Sequence, residues 1–131
     1  MVADEADLPI SYKFDSRTGI TVVLCTGVLS ADDIRTHWDE IYTDAQVLDG
    51  GRILIDMRKA DVQISKAEFV RLATEEWPAE ATSHLKMAVV VSTPEQFDAA
   101  RQFQLLAREG SSHQVFFNMT DARAWLSRRQ D

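Results

Sequence analysis

The residues with chemistry to offer cluster in one stretch, "ILIDMRKADVQISKAEF", residues 53–69. Asp56 closes its apolar run, Arg58 and Lys59 follow, and Ser65 and Lys66 open an amphipathic segment. A carboxylate at the C-terminal end of a strand stands where α/β sheets bind ligands. Asp56, Arg58 and Ser65 could together hold a polar group. Arg58, Lys66 and Arg101 would add a local basic spot for an acidic partner segment or an anionic head group. A serine at a helix start has two uses. Its hydroxyl accepts from free backbone N–H groups, and a phosphate there is favoured by the same N–H groups and the helix dipole. Glu68, three residues on, completes a capping-box pattern, so capping alone accounts for Ser65. A nucleophilic role needs a base beside the hydroxyl, and none of suitable spacing stands near it.

Other chemistries find little support. His37, His84 and His113 lie in different segments without an H-x-x-x-H pair, and Cys25 stands apart, so no metal site is expected. His84 and His113 read as solvated loop residues. No G-x-G-x-x-G or G-x-x-x-x-G-K-[ST] phosphate loop occurs, and no cofactor is expected. "GGR" (50–52) reads as a turn, and "GSS" (110–112) as a helix stop at Gly110.

Composition narrows the partners. The chain has 131 residues, 45% hydrophobic and 27% charged, which suits one globular domain. Its formal net charge of -7 repels phosphate backbones, so nucleic acid is not an expected partner. "MVADEADLP" lacks the apolar core of a signal peptide, and runs such as "MAVVV" are too short to span a bilayer. No membrane insertion is expected. The single cysteine suits a reducing, cytoplasmic location and a role as a small core hydrophobe.

Strands at 10–14, 20–27, 51–56, 86–92 and 114–117 are predicted from β-branched and aromatic runs bounded by turn residues. Helices follow Ser30, Ser65, Thr93 and Thr120, each a predicted N-cap. Apolar residues recur on one face of each, as at Ile34, Trp38, Ile41, Tyr42 and Ala45. The order β-β-α-β-α-β-α-β-α predicts a single-domain α/β fold with a mixed, mostly parallel sheet. Residues 1–9 read as an acidic tail, 10–127 as the domain and 128–131 as a C-terminal tail. On the third helix Phe97 and Leu105 project beside the core stripe, with Arg101 and Arg108 between and beyond them. A wide core face explains this, and so does a partner or homodimer interface.

Several phrases resemble the SpoIIAA-like family, bacterial relatives of the STAS domain of anti-sigma factor antagonists. They are "GVLSADD", "ILIDMR", "KMAVVVSTPEQFDAARQF" and "VFFNMTDARAWL", and the resemblance runs from about residue 10 to about residue 127. It implies a SpoIIAA-like (STAS-like) fold and a regulatory or ligand-binding role rather than an enzyme. It also implies a phosphosite at Ser65, the residue matching a phosphorylated serine in the sporulation antagonists. Here the aspartate, second serine and glycine that flank that serine are absent from "DVQISKAE". The expected function is therefore a non-enzymatic regulatory or protein-interaction module. The alternative is a carrier or sensor of a small apolar or anionic lipid-like ligand, resting on Phe69, Trp77, Phe97 and Phe103. An enclosed apolar pocket between helices and sheet would favour the alternative; a solid core with an exposed apolar helix face would favour the module.

Overall fold

Extended β-branched runs build a five-stranded sheet, and hydroxyl- or amide-capped segments build the helices that cover it. The computed structural model describes residues 8–107 and 112–128. The order is β1 (Ile10–Asp15), β2 (Ile20–Leu29), α1 (Ala31–Ile41), α2 (Ala45–Gly50), β3 (Arg52–Val62), α3 (Lys66–Arg71), a π-helical turn (Leu72–Glu76), α4 (Ala79–Thr82), β4 (Lys86–Val90), α5 (Pro94–Ala107), β5 (Ser112–Phe116) and α6 (Met119–Ser127). The strands lie in the sheet in sequence order. β1 and β2 form an antiparallel hairpin, and β2 through β5 pair in parallel. The fold is thus a mixed, mostly parallel α/β domain, as the sequence implies. No helix among the described residues is long and apolar enough to cross a membrane. The acidic residues 1–7, Arg108, the Gly110 helix stop and residues 129–131 lie outside the described residues.

Two apolar clusters hold the layers together. On one face Val23, Cys25, Ile53 and Met87 pack under Ile41, Tyr42 and Val47 of the α1–α2 segment. On the other, Leu54, Ala88 and Val90 pack under Ala122 and Leu126 of α6. α6 is pinned at its C-terminal end by Lys86, whose Nζ donates to Trp125 O (2.5 Å) and Arg128 O (3.1 Å) and sits 4.4 Å from the Trp125 ring centre. A cation there complements the negative end of the helix dipole.

Four local expectations are corrected. The predicted helix after Ser30, whose apolar stripe runs on to Ala45, breaks after Tyr42, because Asp44 caps a second helix by accepting from Gln46 N (3.0 Å). Gly51 closes that helix in the left-handed conformation, φ 72°, which only glycine adopts freely. α6 is capped by Asn118, not Thr120. His113 lies in β5, not in a loop.

The fourth correction concerns Asp56, which does not end β3. The strand runs on to Val62, and its far part pairs only with β2. Leu24 faces Asp56 and Thr26 faces Lys59, so β3 carries one extra residue there, a β-bulge. The bulge frees the Arg58 N–H, and the Asp56 carboxylate accepts it (3.1 Å). Arg58 also grips both oxygens of Asp56, at 2.9 Å each. Asp56 is buried at 7% exposure, and this fork keeps its buried charge paired.

Candidate functional site

Between the sheet and the helices on the α1 side lies a cavity of about 700 Å³. Cys25, Ile55, Met57 and Val89 form its floor on β2, β3 and β4. Its roof comes from α1 (Ile34, His37, Trp38), the α3–π segment (Phe69, Leu72) with Trp77, and α5 (Ala99, Ala100, Phe103). The roof rings stand edge to face. Trp77 meets Trp38 at 5.2 Å and 78°, Tyr42 at 5.6 Å and 77°, and Phe103 at 5.6 Å and 86°. Phe69 meets Phe103 at 5.8 Å and 79°. Each positive ring edge lies on a negative face, the arrangement the ring quadrupoles favour. Small side chains, Ala60, Ala99 and Ala100, line the space without filling it.

Two devices hold the roof. Arg35 of α1 donates to both oxygens of Glu76 (2.8 and 3.0 Å) and to Asp32 (2.9 Å), tying α1 to the end of the π-helical turn. Gln96 ties α5 to the overhang of β3: its amide nitrogen donates to Met57 O and Ala60 O (3.0 Å each), and its oxygen accepts from Ser92 N (2.7 Å). The start of α5 is also capped, with Gln96 N donating to Thr93 Oγ1 (3.1 Å). The Gln96 side chain therefore serves the neighbouring strand rather than closing a box on its own helix.

The interior is uncharged. Burial lowers the His37 pKa to about 4, leaving the imidazole neutral at pH 7. Burial, with the Asp56 carboxylate, raises the Cys25 pKa to about 12, so it remains a thiol. The charged residues that line the cavity, Arg58, Lys59, Asp61 and Glu95, are all exposed and mark its mouth.

Of Asp56, Arg58, Ser65, Lys66, Phe97, Arg101 and Leu105, only Arg58 lines this cavity. Ser65 sits outside it, its hydroxyl accepting from Glu68 N (3.1 Å). The Glu68 carboxylate does not return to close a box; it lies 3.8 Å from Arg35. Lys66 and Arg101 are exposed, and Arg101 reaches Gln104 at 3.5 Å. Phe97 does not join the aromatic cluster but stacks on Phe117, 5.2 Å away and 11° from parallel. The residues missed in sequence are Trp38, Tyr42 and His37. Trp38 and Tyr42 share an apolar helical stripe, but a stripe reads the same whether it packs solid or roofs a void.

One solved structure places this arrangement among known folds. A protein from Shewanella loihica PV-4, described as an uncharacterized protein from the DUF3478 family with a SpoIIAA-like fold, superposes with a TM-score of 0.58. The match covers 89% of this chain and 91% of that one, at 17% sequence identity. This chain has a SpoIIAA-like fold. No protein-family model matches it, and no curated protein does. In this SpoIIAA-like chain the cavity lies between the layers, beneath the helices that connect consecutive parallel strands.

Proposed function

We propose that the chain binds a small apolar molecule in this cavity and acts by holding it, as a carrier or sensor, without turning it over. The observation that carries the reading is the space of about 700 Å³ roofed by edge-to-face aromatic rings. Its volume falls in the range of drug-sized ligand sites, which are mostly apolar with a few polar groups. A binding role without catalysis fits the two interior groups. A thiol with its pKa raised is a poor nucleophile, and an imidazole with its pKa lowered is a weak base.

Native mass spectrometry of the purified chain, with Trp fluorescence titration of apolar ligands, tests the proposal. One-to-one binding is expected, lost in Ala100→Trp while circular dichroism shows the fold retained. Binding that survives Ala100→Trp unchanged, or no saturable binding at all, would refute it.

A second reading, a regulatory or protein-interaction module, is favoured by a different surface. Leu105 is 64% exposed on α5 and Phe117 54% exposed beside Phe97. Large apolar groups this open suit an interface, including one between two copies of the chain. Light scattering across a concentration series tests self-association. A mass that rises toward the dimer, and stays monomeric in Leu105→Asp, supports it; a monomer throughout refutes it.

A further inference from the structure

We infer that the cavity selects an uncharged ligand, an apolar body carrying at most a hydroxyl or carbonyl, and discriminates against the carboxylate or phosphate of the same body. The inference rests on the cavity being a ligand site and adds the chemistry of its occupant. It decides between the apolar and the anionic lipid-like ligands that the sequence leaves open.

The mouth offers an anion little. The charge of Arg58 is already balanced by Asp56, which takes its Nε and Nη2, although Nη1 keeps its two donors. That leaves Lys59, set against Asp61 and Glu95 among the charged residues lining the same opening. One unengaged cation against two carboxylates is a net negative rim, on a chain whose formal charge is -7. An anionic head group there is repelled, locally and by the field of the whole molecule.

The mouth's neutral groups are partly committed as well. Ser92 Oγ donates to Arg58 O (3.1 Å) and the Gln96 amide is spent on backbone, while Thr93 Oγ1 accepts from Gln96 N and keeps its own O–H. Deeper in, the charged liners give way to rings and aliphatics, where an ion would lose its hydration without a counter-charge. Two polar groups on the lining still have capacity, the Trp77 indole and the His37 imidazole. The Trp77 Nε1–H is buried without a hydrogen-bond partner among the described residues, and it matches a carbonyl or hydroxyl oxygen. His37 contacts the Tyr12 and Tyr42 rings edge-on, both at 6.4 Å, and none of its hydrogen bonds to the described residues is seen. A neutral imidazole has one donor and one acceptor nitrogen, which matches a hydroxyl in both roles and a carbonyl in one.

The test is a set of matched ligands at pH 7.5 on the intact chain, followed by calorimetry and by fluorescence of Trp38 and Trp77, which line the cavity: 2-naphthol against 2-naphthoate, and 1-dodecanol against dodecanoate. Each alcohol is expected to bind at least about tenfold tighter than its carboxylate, a gap of about 1.4 kcal/mol. His37→Phe should weaken 2-naphthol several-fold while leaving naphthalene unchanged, a split that a general loss of fold would not produce. A carboxylate that binds as tightly as its alcohol overturns the selectivity and leaves the cavity reading standing. If none of the four binds saturably, the cavity reading falls, and the selectivity with it.

Discussion

At Ser65 a single oxygen is already engaged, accepting from Glu68 N at 3.1 Å as the cap of α3. Removing it leaves an N–H of the first turn without a protein partner. Ser65→Ala should cost about 1 kcal/mol in urea unfolding, and Ser65→Asp should be nearly neutral, because an aspartate caps as well and suits the positive end of the helix. His37 makes the opposite kind of prediction, from a charge the fold refuses. Its pKa falls to about 4 in the folded chain against an ordinary value near 6.5. Above pH 6.5 both states are neutral and nothing is lost. As pH falls from 6.5 to 4, the unfolded chain takes up a proton that the folded chain excludes, so stability declines by up to roughly 3 kcal/mol. Asp56 and Glu76 are held below the usual carboxylate range by Arg58 and Arg35, and their losses set in from about pH 5 downward, below most of the His37 limb. His37→Phe should flatten the limb between pH 6.5 and 4 in unfolding measured across pH; an unchanged limb would mean that His37 is not its source. Caps such as Ser30, Ser65 and Thr93 were legible in sequence because capping is decided within four residues. Asn118 was missed because Thr120, two residues on, offers an equally good local signal.

Elements are joined here by a few long side chains. Gln96 satisfies two backbone carbonyls of β3 that have left the body of the sheet, and a backbone N–H at the end of β4. Gln96→Ala should destabilise the domain by about 2 kcal/mol, since two half-buried carbonyls and an exposed N–H lose their partner. Gln96→Glu, nearly the same shape, should be worse at neutral pH, because it sets a carboxylate oxygen against two carbonyls. Equilibrium unfolding gives the order, and hydrogen exchange should show the loss centred on residues 57–62 and the start of α5. A Glu variant as stable as wild type would show that the amide contacts carry little weight. The overhang of β3 was illegible for a physical reason. "RKADV" pairs with β2 alone and is largely exposed, so it lacks the apolar alternation that marks a strand inside a sheet. The break between α1 and α2 was equally hidden. Neither glycine nor proline stands at Tyr42–Asp44, and the apolar stripe continues through it. What ends α1 is tertiary: Asp44 caps the next helix and also accepts from Tyr12 OH (2.9 Å) on β1.

For the whole molecule, the sheet's order follows the chain. Strands alternating with helices, after an opening hairpin, were enough to predict a mixed, mostly parallel sheet and a single layered domain. The hollow between the layers was not predictable in the same way. Volume is a difference between the space the backbone encloses and the space side chains fill, and periodicity reports neither. A hollow of this size also forgoes packing energy that the free chain could otherwise gain. Ala100→Leu, which adds three carbons where Ala100 lines the cavity, should therefore raise the melting temperature of the ligand-free chain by a few degrees and weaken ligand binding. Differential scanning calorimetry with and without ligand separates the two effects. A variant that melts lower and still binds would indicate that the space is not available to be filled.

The bulge in β3 also bears on how the chain tolerates change in length. Met57 and Ala60 pack against the same apolar cluster although three positions separate them, an odd interval that a regular strand places on opposite sides. The spare residue restores the alternation, so that Lys59 to Val62 meet Thr26 to Leu29 in step. A homologue one residue shorter at Arg58 would keep every inward side chain inward and every later pairing intact, whereas a deletion a few positions earlier in β3 would turn the strand inside out. Insertions and deletions in this lineage are thus expected to collect at one point of an otherwise length-intolerant strand. A residue-by-residue alignment that opens no gap there will pair inward positions with outward ones from that point to the end of the strand.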